Sequence, residues 1–351
     1  EPLLRVTGLG KSFSGVRVLQ DVDLETRRGE VVALVGENGA GKSTVKNILC
    51  GLLNPDEGAI ELEGHPISHF RAADHGIAAG HEEVSLFGSL SVAENICITD
   101  LPGDTLRINW ARTREIAQEA LDIIGTDIDP DTIVETLSTG RQQLVEIAKA
   151  LRQARLLLIL DEPTASLTEP EREQLFDVID RLKARGLSII FISHFIDEVY
   201  RVSDRIVVLR DGRRVGGAAK ADLPRHELEA LMVGRPFEAR QHTLNAPDEN
   251  VVLRVAGFSS PPVVHDVSFK LHRGEILGIA GLMGAGRTEL VEAIYGLRPS
   301  QGEVWIGEQA VPHRTLETMK QLGVAFVPED RRRHGLFMNR SLRENMTAAA
   351  L

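Results

Sequence analysis

The stretch Gly36-Glu37-Asn38-Gly39-Ala40-Gly41-Lys42-Ser43-Thr44 has the spacing G-x-x-x-x-G-K-S. These residue types at this spacing hold phosphate. The glycines let backbone N–H groups turn in around phosphate oxygens, and a following helix N-terminus adds partial positive charge. Lys42 then reaches the β- and γ-phosphates of a nucleotide, and Ser43 offers its hydroxyl to Mg²⁺. Far along the chain, Asp161-Glu162 closes the apolar run 156–160, a strand-then-acid pattern of Walker B type. Asp161 would hold Mg²⁺, directly or through water, and Glu162 would orient or deprotonate an attacking water. An acid pair in such a place can also cap a helix; downstream of a phosphate loop, hydrolysis is the better reading. His194 ends a second buried-strand run, 187–193, and its place after the acids suits a γ-phosphate contact. Phe13, in the hairpin-like segment 11–15, either stacks on an adenine ring or fills a small hairpin core.

These groups need elements to position them. The run EVVALV (30–35) reads as a buried parallel strand, and Val45, Ile48, Leu49 and Leu52 recur at helical spacing, so a helix starts near Lys42. Residues 1–35 alternate as strands, with turns at Gly15 and Gly29. Short strands are expected over 59–62 and 76–80. Residues 91–155 read as helical, in the pieces SVAENI, 112–124 and 141–152. A helix over 172–184 and a hairpin around Asp211-Gly212 follow. Alternating strands and helices around phosphate chemistry imply an α/β core with a mostly parallel sheet.

Composition narrows the function. Aromatic residues are 4% of the 351, too few for a platform on which single-stranded bases stack. The net charge of −11 argues against a nucleic-acid partner. Two cysteines, Cys50 and Cys97, suit a reducing compartment, with Cys50 read as a core residue. No apolar run approaches the roughly 18–20 residues that span a bilayer.

The chain also repeats itself. VLQDVDLETRRGEVVALVGENGAGKST (18–44) is echoed by VVHDVSFKLHRGEILGIAGLMGAGRTE, a period that means a domain duplication. The copies differ at the loop: Lys42, Ser43 and Thr44 become Arg287, Thr288 and Glu289. A second carboxylate beside phosphates is unhelpful, so the second loop is a poor candidate for fast turnover. The second copy is expected to run through a strand at Gly323–Val327, with no second acid-after-strand element following. The resulting expectation is a first nucleotide-binding domain over 1–237 with a helical subdomain near 90–155, a polar linker over 238–250, and the beginning of a second domain over 251–351.

The stretch Leu137-Ser138-Thr139-Gly140-Arg141-Gln142-Gln143, lying between the phosphate loop and LILDEPTASL, resembles the signature loop of ATP-binding-cassette (ABC) proteins. Finer features, including EIAKAL, ISHFIDEV, MVGR, GLMGAGRTEL and VPEDRRRHGL, resemble the tandem-cassette ATPases of bacterial monosaccharide importers, and the resemblance covers nearly the whole chain. It implies a P-loop fold of the ABC type, with a mostly parallel sheet, an antiparallel β subdomain and a helical subdomain. It also implies ATP and Mg²⁺, two transmembrane permease subunits, an extracytoplasmic sugar-binding protein, and a place on the cytoplasmic face of the inner membrane.

Residue by residue, the resemblance makes Phe13 the adenine-stacking aromatic, and Gly36, Asn38, Gly39, Ala40, Gly41, Lys42, Ser43 and Thr44 the phosphate cradle. Ser138 and Gly140 would cap the γ-phosphate held by an opposite cassette, in cis or in a homodimer. Asp161 would serve Mg²⁺, Glu162 would be the base and His194 the switch histidine, while Ser166 and Leu167 would lie where cassettes meet. Glu82 stands where the family usually has a glutamine touching Mg²⁺ and water; glutamate keeps the ligand oxygen, adds charge and loses the N–H donor. Thr139 and Arg141 also depart from the commoner signature. The rival readings are a soluble cassette ATPase with no transport role and a nucleotide-binding regulator with little turnover.

Overall fold

Period-two burial sets the first elements. In the computed structural model, which describes residues 1–67, 75–80, 85–104, 107–165, 167–234, 248–281, 284–328 and 334–348, β1 (Leu4–Phe13) pairs antiparallel with β2 (Val16–Thr26). The fully buried β3 (Val31–Val35) leads through the glycine loop into α1 (Lys42–Leu49). Then come β4 (Glu57–Leu62), β5 (His65–Pro66) and β6 (Ile77–Gly80). The helical stretch holds α2 (Val92–Cys97), α3 (Trp110–Ile124) and α4 (Thr139–Gln153). A Ser91–Glu94 capping box starts α2, and Ser138 is the N-cap of α4. The core resumes with β7 (Leu157–Asp161), α5 (Glu169–Ala184), β8 (Ser188–Ile192), α6 (Ile196–Val202), β9 (Arg205–Arg210), β10 (Arg213–Ala219) and α7 (Arg225–Val233). The helix expected from residue 172 begins three residues earlier, because Thr168 and Glu171 form a capping box there.

Strand order explains how distant motifs meet. The larger sheet runs β10-β9-β3-β8-β7-β6, parallel except for β10 at its edge. Leu34 sits beside Ile192, and Ile192 beside Asp161. The carboxyl ends of β3, β8 and β7 therefore finish on one row, within roughly 10 Å at the usual strand spacing. Ligands bind at such ends in open α/β sheets. Alternate residues of each strand serve opposite faces. Leu157 and Ile159 pack with α1 and the small sheet β2-β1-β4-β5, whereas Leu158 and Leu160 pack with the α2–α5 helices.

Contacts divide the chain into two units, Glu1–Ala239 and Arg240–Leu351. Most of the expected linker lies outside the described residues. The second unit holds β11 (Val251–Ser260), β12 (Val264–His272), α8 (Arg287–Tyr295), β13 (Gln301–Ile306), β14 (Gln309–Ala310), α9 (Leu316–Gln321) and α10 (Leu342–Thr347). Its sheet, β12-β11-β13-β14, repeats the order β2-β1-β4-β5. Even the left-handed backbone recurs, at Asp21 (φ 54°) and Asp266 (φ 46°).

The strand expected over Gly323–Val327 is not formed; residues 324–328 carry no strand, nor do 275–281. In the first unit the equivalents of these segments, β6 and β3, are not neighbours, because β7 and β8 lie between them. No counterpart of β7 or β8 is among the described residues of the second unit, so these backbones lack ladder partners. Ile276 and Val327 are accordingly 98% and 89% exposed. No helix among the described residues is long and apolar enough to cross a membrane.

Candidate functional site

The glycine loop is shaped by backbone that side chains disfavour. Gly41 caps α1 at φ 102°, and a Cβ on Gly36 (φ 156°) would lie 2.2 Å from the Leu209 carbonyl oxygen. Lys42 is buried, and its Nζ donates to the carbonyl oxygens of Gly36 at 2.6 Å and Glu37 at 3.2 Å. Ala40 is buried behind the loop, where its carbonyl accepts from the Gly212 N–H at 3.2 Å. Asn38, Gly39, Gly41, Lys42, Ser43 and Thr44 line a cleft of about 250 Å³ together with Val18, Asp161, Glu162 and His194. A larger furrow of about 790 Å³, lined by Arg5, Arg28, Glu61 and Glu63 among others, contains none of the predicted site residues.

The acids enter from the strand row. Asp161, 3% exposed, ends β7 and accepts from Lys46 Nζ at 2.6 Å. Glu162 follows in left-handed backbone (φ 47°), fixed by its N–H donating to the Ile192 carbonyl at 2.9 Å. Its Oε1 lies 2.8 Å from His194 Nδ1, while Oε2 is buried with no hydrogen-bond partner among the described residues. Burial raises the Glu162 pKa; the His194 hydrogen bond and the charges of His194 and Lys42 pull it down, and Asp161 pushes it up again. A buried carboxylate with one oriented oxygen and one unsatisfied oxygen is built to accept a proton from water.

Among the described residues, no cluster of three or more His, Cys, Asp or Glu would hold a metal alone. Mg²⁺ is bound through one or two protein oxygens plus substrate phosphates. Ser43 and Asp161 supply hard oxygens in the phosphate cleft, and the orphaned Glu162 Oε2 marks a place where a polar group is still needed.

Phe13, Ser138 and Gly140 stand apart from the cleft lining. Phe13 is 41% exposed at the end of the β1–β2 hairpin, with Lys11 Nζ 5.7 Å from its ring centroid, so it fills no hairpin core. Ser138 caps α4 through the Arg141 N–H at 3.3 Å. Gly140 is buried against Glu171, where a Cβ would come within 2.4 Å of a carboxylate oxygen. Arg141, which sits badly with the helix dipole, pairs with Asp127 at 2.5 Å. Leu167 belongs to the helical core and is 4% exposed, so its side chain is not offered to a neighbour. Glu82 and Ser166 lie outside the described residues.

Two residues at the cleft were not anticipated. Val18 is one of its walls, and nothing in its type signals that. Lys46 is one helical turn after Lys42, a charge among the buried Val45, Ile48 and Leu49, which is a signal that spacing could have supplied.

The family model described as ABC transporter matches residues 19–165 and 264–350, both copies of the repeat. The chain belongs to the ABC transporter family. This ABC ATPase is 41% identical over 359 residues to the ribose import ATP-binding protein RbsA of Caldanaerobacter subterraneus subsp. tengcongensis, covering 100% of this chain and 72% of that one. It is 40% identical over 363 residues to the xylose import ATP-binding protein XylG of Moorella thermoacetica, covering 99% of this chain and 72% of the other. Among solved ABC structures, cbiO1 from Clostridium perfringens, part of the ABC transporter complex cbiONQ, superposes with a TM-score of 0.56. That match has 28% identity and covers 63% of this chain and 90% of that one.

Proposed function

We propose that this chain is the ATP-binding and hydrolysing subunit of an ABC importer, powering uptake of a monosaccharide or related small carbohydrate. One observation carries the catalytic half: Lys42, Asp161, Glu162 and His194, up to 152 residues apart in sequence, line a single cleft. The solute half rests on relatives named for ribose and xylose import.

In this reading the loop N–H groups and Lys42 bind the phosphates of ATP. Ser43 and Asp161, with Glu82 as a further candidate, would hold Mg²⁺, which neutralises triphosphate charge when bound. Glu162 takes the proton of the attacking water while His194 fixes its Oε1. Phe13 would stack on adenine. Ser138 and Gly140 are not cleft-lining residues; they would cap the γ-phosphate of a second cassette, in cis or in a homodimer. Closure of two cassettes around ATP and reopening after hydrolysis is a bistable step that can drive alternating access.

The domain assignment follows the same reading: a first cassette over 1–237, a linker over 238–250 and a second, degenerate cassette over 251–351. The partners would be two transmembrane permeases and an extracytoplasmic sugar-binding protein, with the chain on the cytoplasmic face of the bacterial inner membrane. Uptake of labelled ribose, xylose and galactose by cells lacking this chain tests the proposal. At least one uptake should be lost, restored by the parent and not by Lys42→Ala. Undiminished uptake of every monosaccharide would overturn it.

A further inference from the structure

Helix α1 presents two ammonium groups one turn apart. Lys42 bends back to the glycine-loop carbonyls, and Lys46 reaches the end of β7, where its Nζ lies 2.6 Å from Asp161 Oδ2. Both partners of the second pair are withdrawn from water, with side-chain exposures of 10% and 3%. Among the described residues Asp161 is the carboxylate within ion-pair distance of Lys46. One turn further along, Cys50 adds no charge at neutral pH, because burial pushes its thiol up to about 11.

The carboxylate assigned to Mg²⁺ thus already faces a fixed cation. The second copy carries no such lysine, and no counterpart of β7 or Asp161 is among its described residues. Lys42 aligns with Arg287, so Lys46 aligns with Val291, an apolar residue at the same point of α8. Val291 is 37% exposed, whereas Lys46 is buried, and a long charged side chain withdrawn from water needs an electrostatic reason.

We propose that the Lys46 ammonium is a built-in counter-cation for Asp161, a positioning residue that holds this carboxylate against α1 and weakens the cleft's hold on a divalent cation. The idea rests on the ATP-binding reading of the same cleft. A positive charge beside Asp161 would repel a divalent cation held by that carboxylate, and a carboxylate already hydrogen-bonded through Oδ2 has less charge to offer. Without ligand, the same ammonium keeps the buried Asp161 from standing uncompensated.

The test is divalent-cation affinity, read by Mn²⁺ electron paramagnetic resonance on protein saturated with ATP, in the parent, Lys46→Met, Lys46→Gln and Lys46→Arg. Metal-free ATP binding is measured on the same samples with a fluorescent ATP analogue. Both neutral variants should bind Mn²⁺ about tenfold more tightly than the parent, and Lys46→Arg should stay near it. The melting temperature of nucleotide-free Lys46→Met should fall, because one buried charge has lost its partner. Unchanged or weaker Mn²⁺ binding in the neutral variants, with ATP binding intact, overturns the role of Lys46 and leaves the nucleotide site standing. Absence of ATP binding in the parent overturns both. If the neutral variants unfold without ligand, refolding on addition of Mn²⁺ and ATP supports the proposal, and failure to refold overturns it.

Discussion

His194 Nδ1 lies 2.8 Å from Glu162 Oε1, so the residue that follows β7 is tied to the second residue after β8. Burial sets the titration of the base, and the contact tempers it. Burial keeps Glu162 protonated to higher pH than an ordinary carboxyl, and the hydrogen bond from His194 acts in the opposite sense. A base works when deprotonated, so hydrolysis should rise with pH through the raised pKa of Glu162. In His194→Ala the lowering influence is gone, and the acidic limb should move to higher pH. Turnover should also drop, by about 10²-fold, as the carboxylate loses its orientation. The pH–rate profiles of parent and variant check this; coincident acidic limbs would contradict it.

Stability carries the same sign information. A carboxyl whose folded pKa is raised favours the folded state at low pH, and that contribution is lost as pH rises through the folded pKa. At neutral pH the ionised Glu162 is therefore a burden on the fold. Glu162→Gln should melt at a higher temperature than the parent at neutral pH, and the gap should close on acidification. Thermal melts across pH give the answer.

Gly36→Ala should damage the loop itself. Its backbone at φ 156° disfavours a side chain, and the new Cβ would collide with the Leu209 carbonyl on the neighbouring β9. A loss of about 1–3 kcal/mol of stability is expected, together with weaker ATP binding. Gly39→Ala is the useful contrast, since a Cβ there meets nothing within 4 Å, although its φ of 87° keeps some strain. Chemical denaturation of both variants separates collision from backbone strain.

The core and cleft were legible in the sequence because each part is announced locally. The glycine loop, the acid pair and His194 each close a buried apolar run, and strand register then brings the three runs to one row. What was not legible depends on neighbours. Residues 323–327 have strand composition, yet a strand exists only where a partner backbone stands beside it. Leu167 sits in a motif associated with cassette contacts, but the α2–α5 core claims its side chain. Helical spacing places the Lys46 charge among buried apolar residues, but spacing does not say that Asp161 lies opposite.

Ser138 caps α4 and is not among the residues lining the cleft around Lys42. If it serves a second cassette, Ser138→Ala should leave ATP affinity in dilute protein unchanged while lowering turnover. Specific activity of the parent should climb with protein concentration. Flat activity over a wide concentration range would contradict assembly-dependent hydrolysis. Loss of the cap itself should cost about 0.5–2 kcal/mol, so melts are run alongside.

The measurement that bears most directly on the account is ATP binding and phosphate release by Glu162→Gln beside the parent. The variant should bind ATP as tightly as the parent and release phosphate about 10²–10⁴ times more slowly. Phosphate release at the parental rate would contradict the assignment of Glu162 as the base, and with it the chemistry assigned to this cleft.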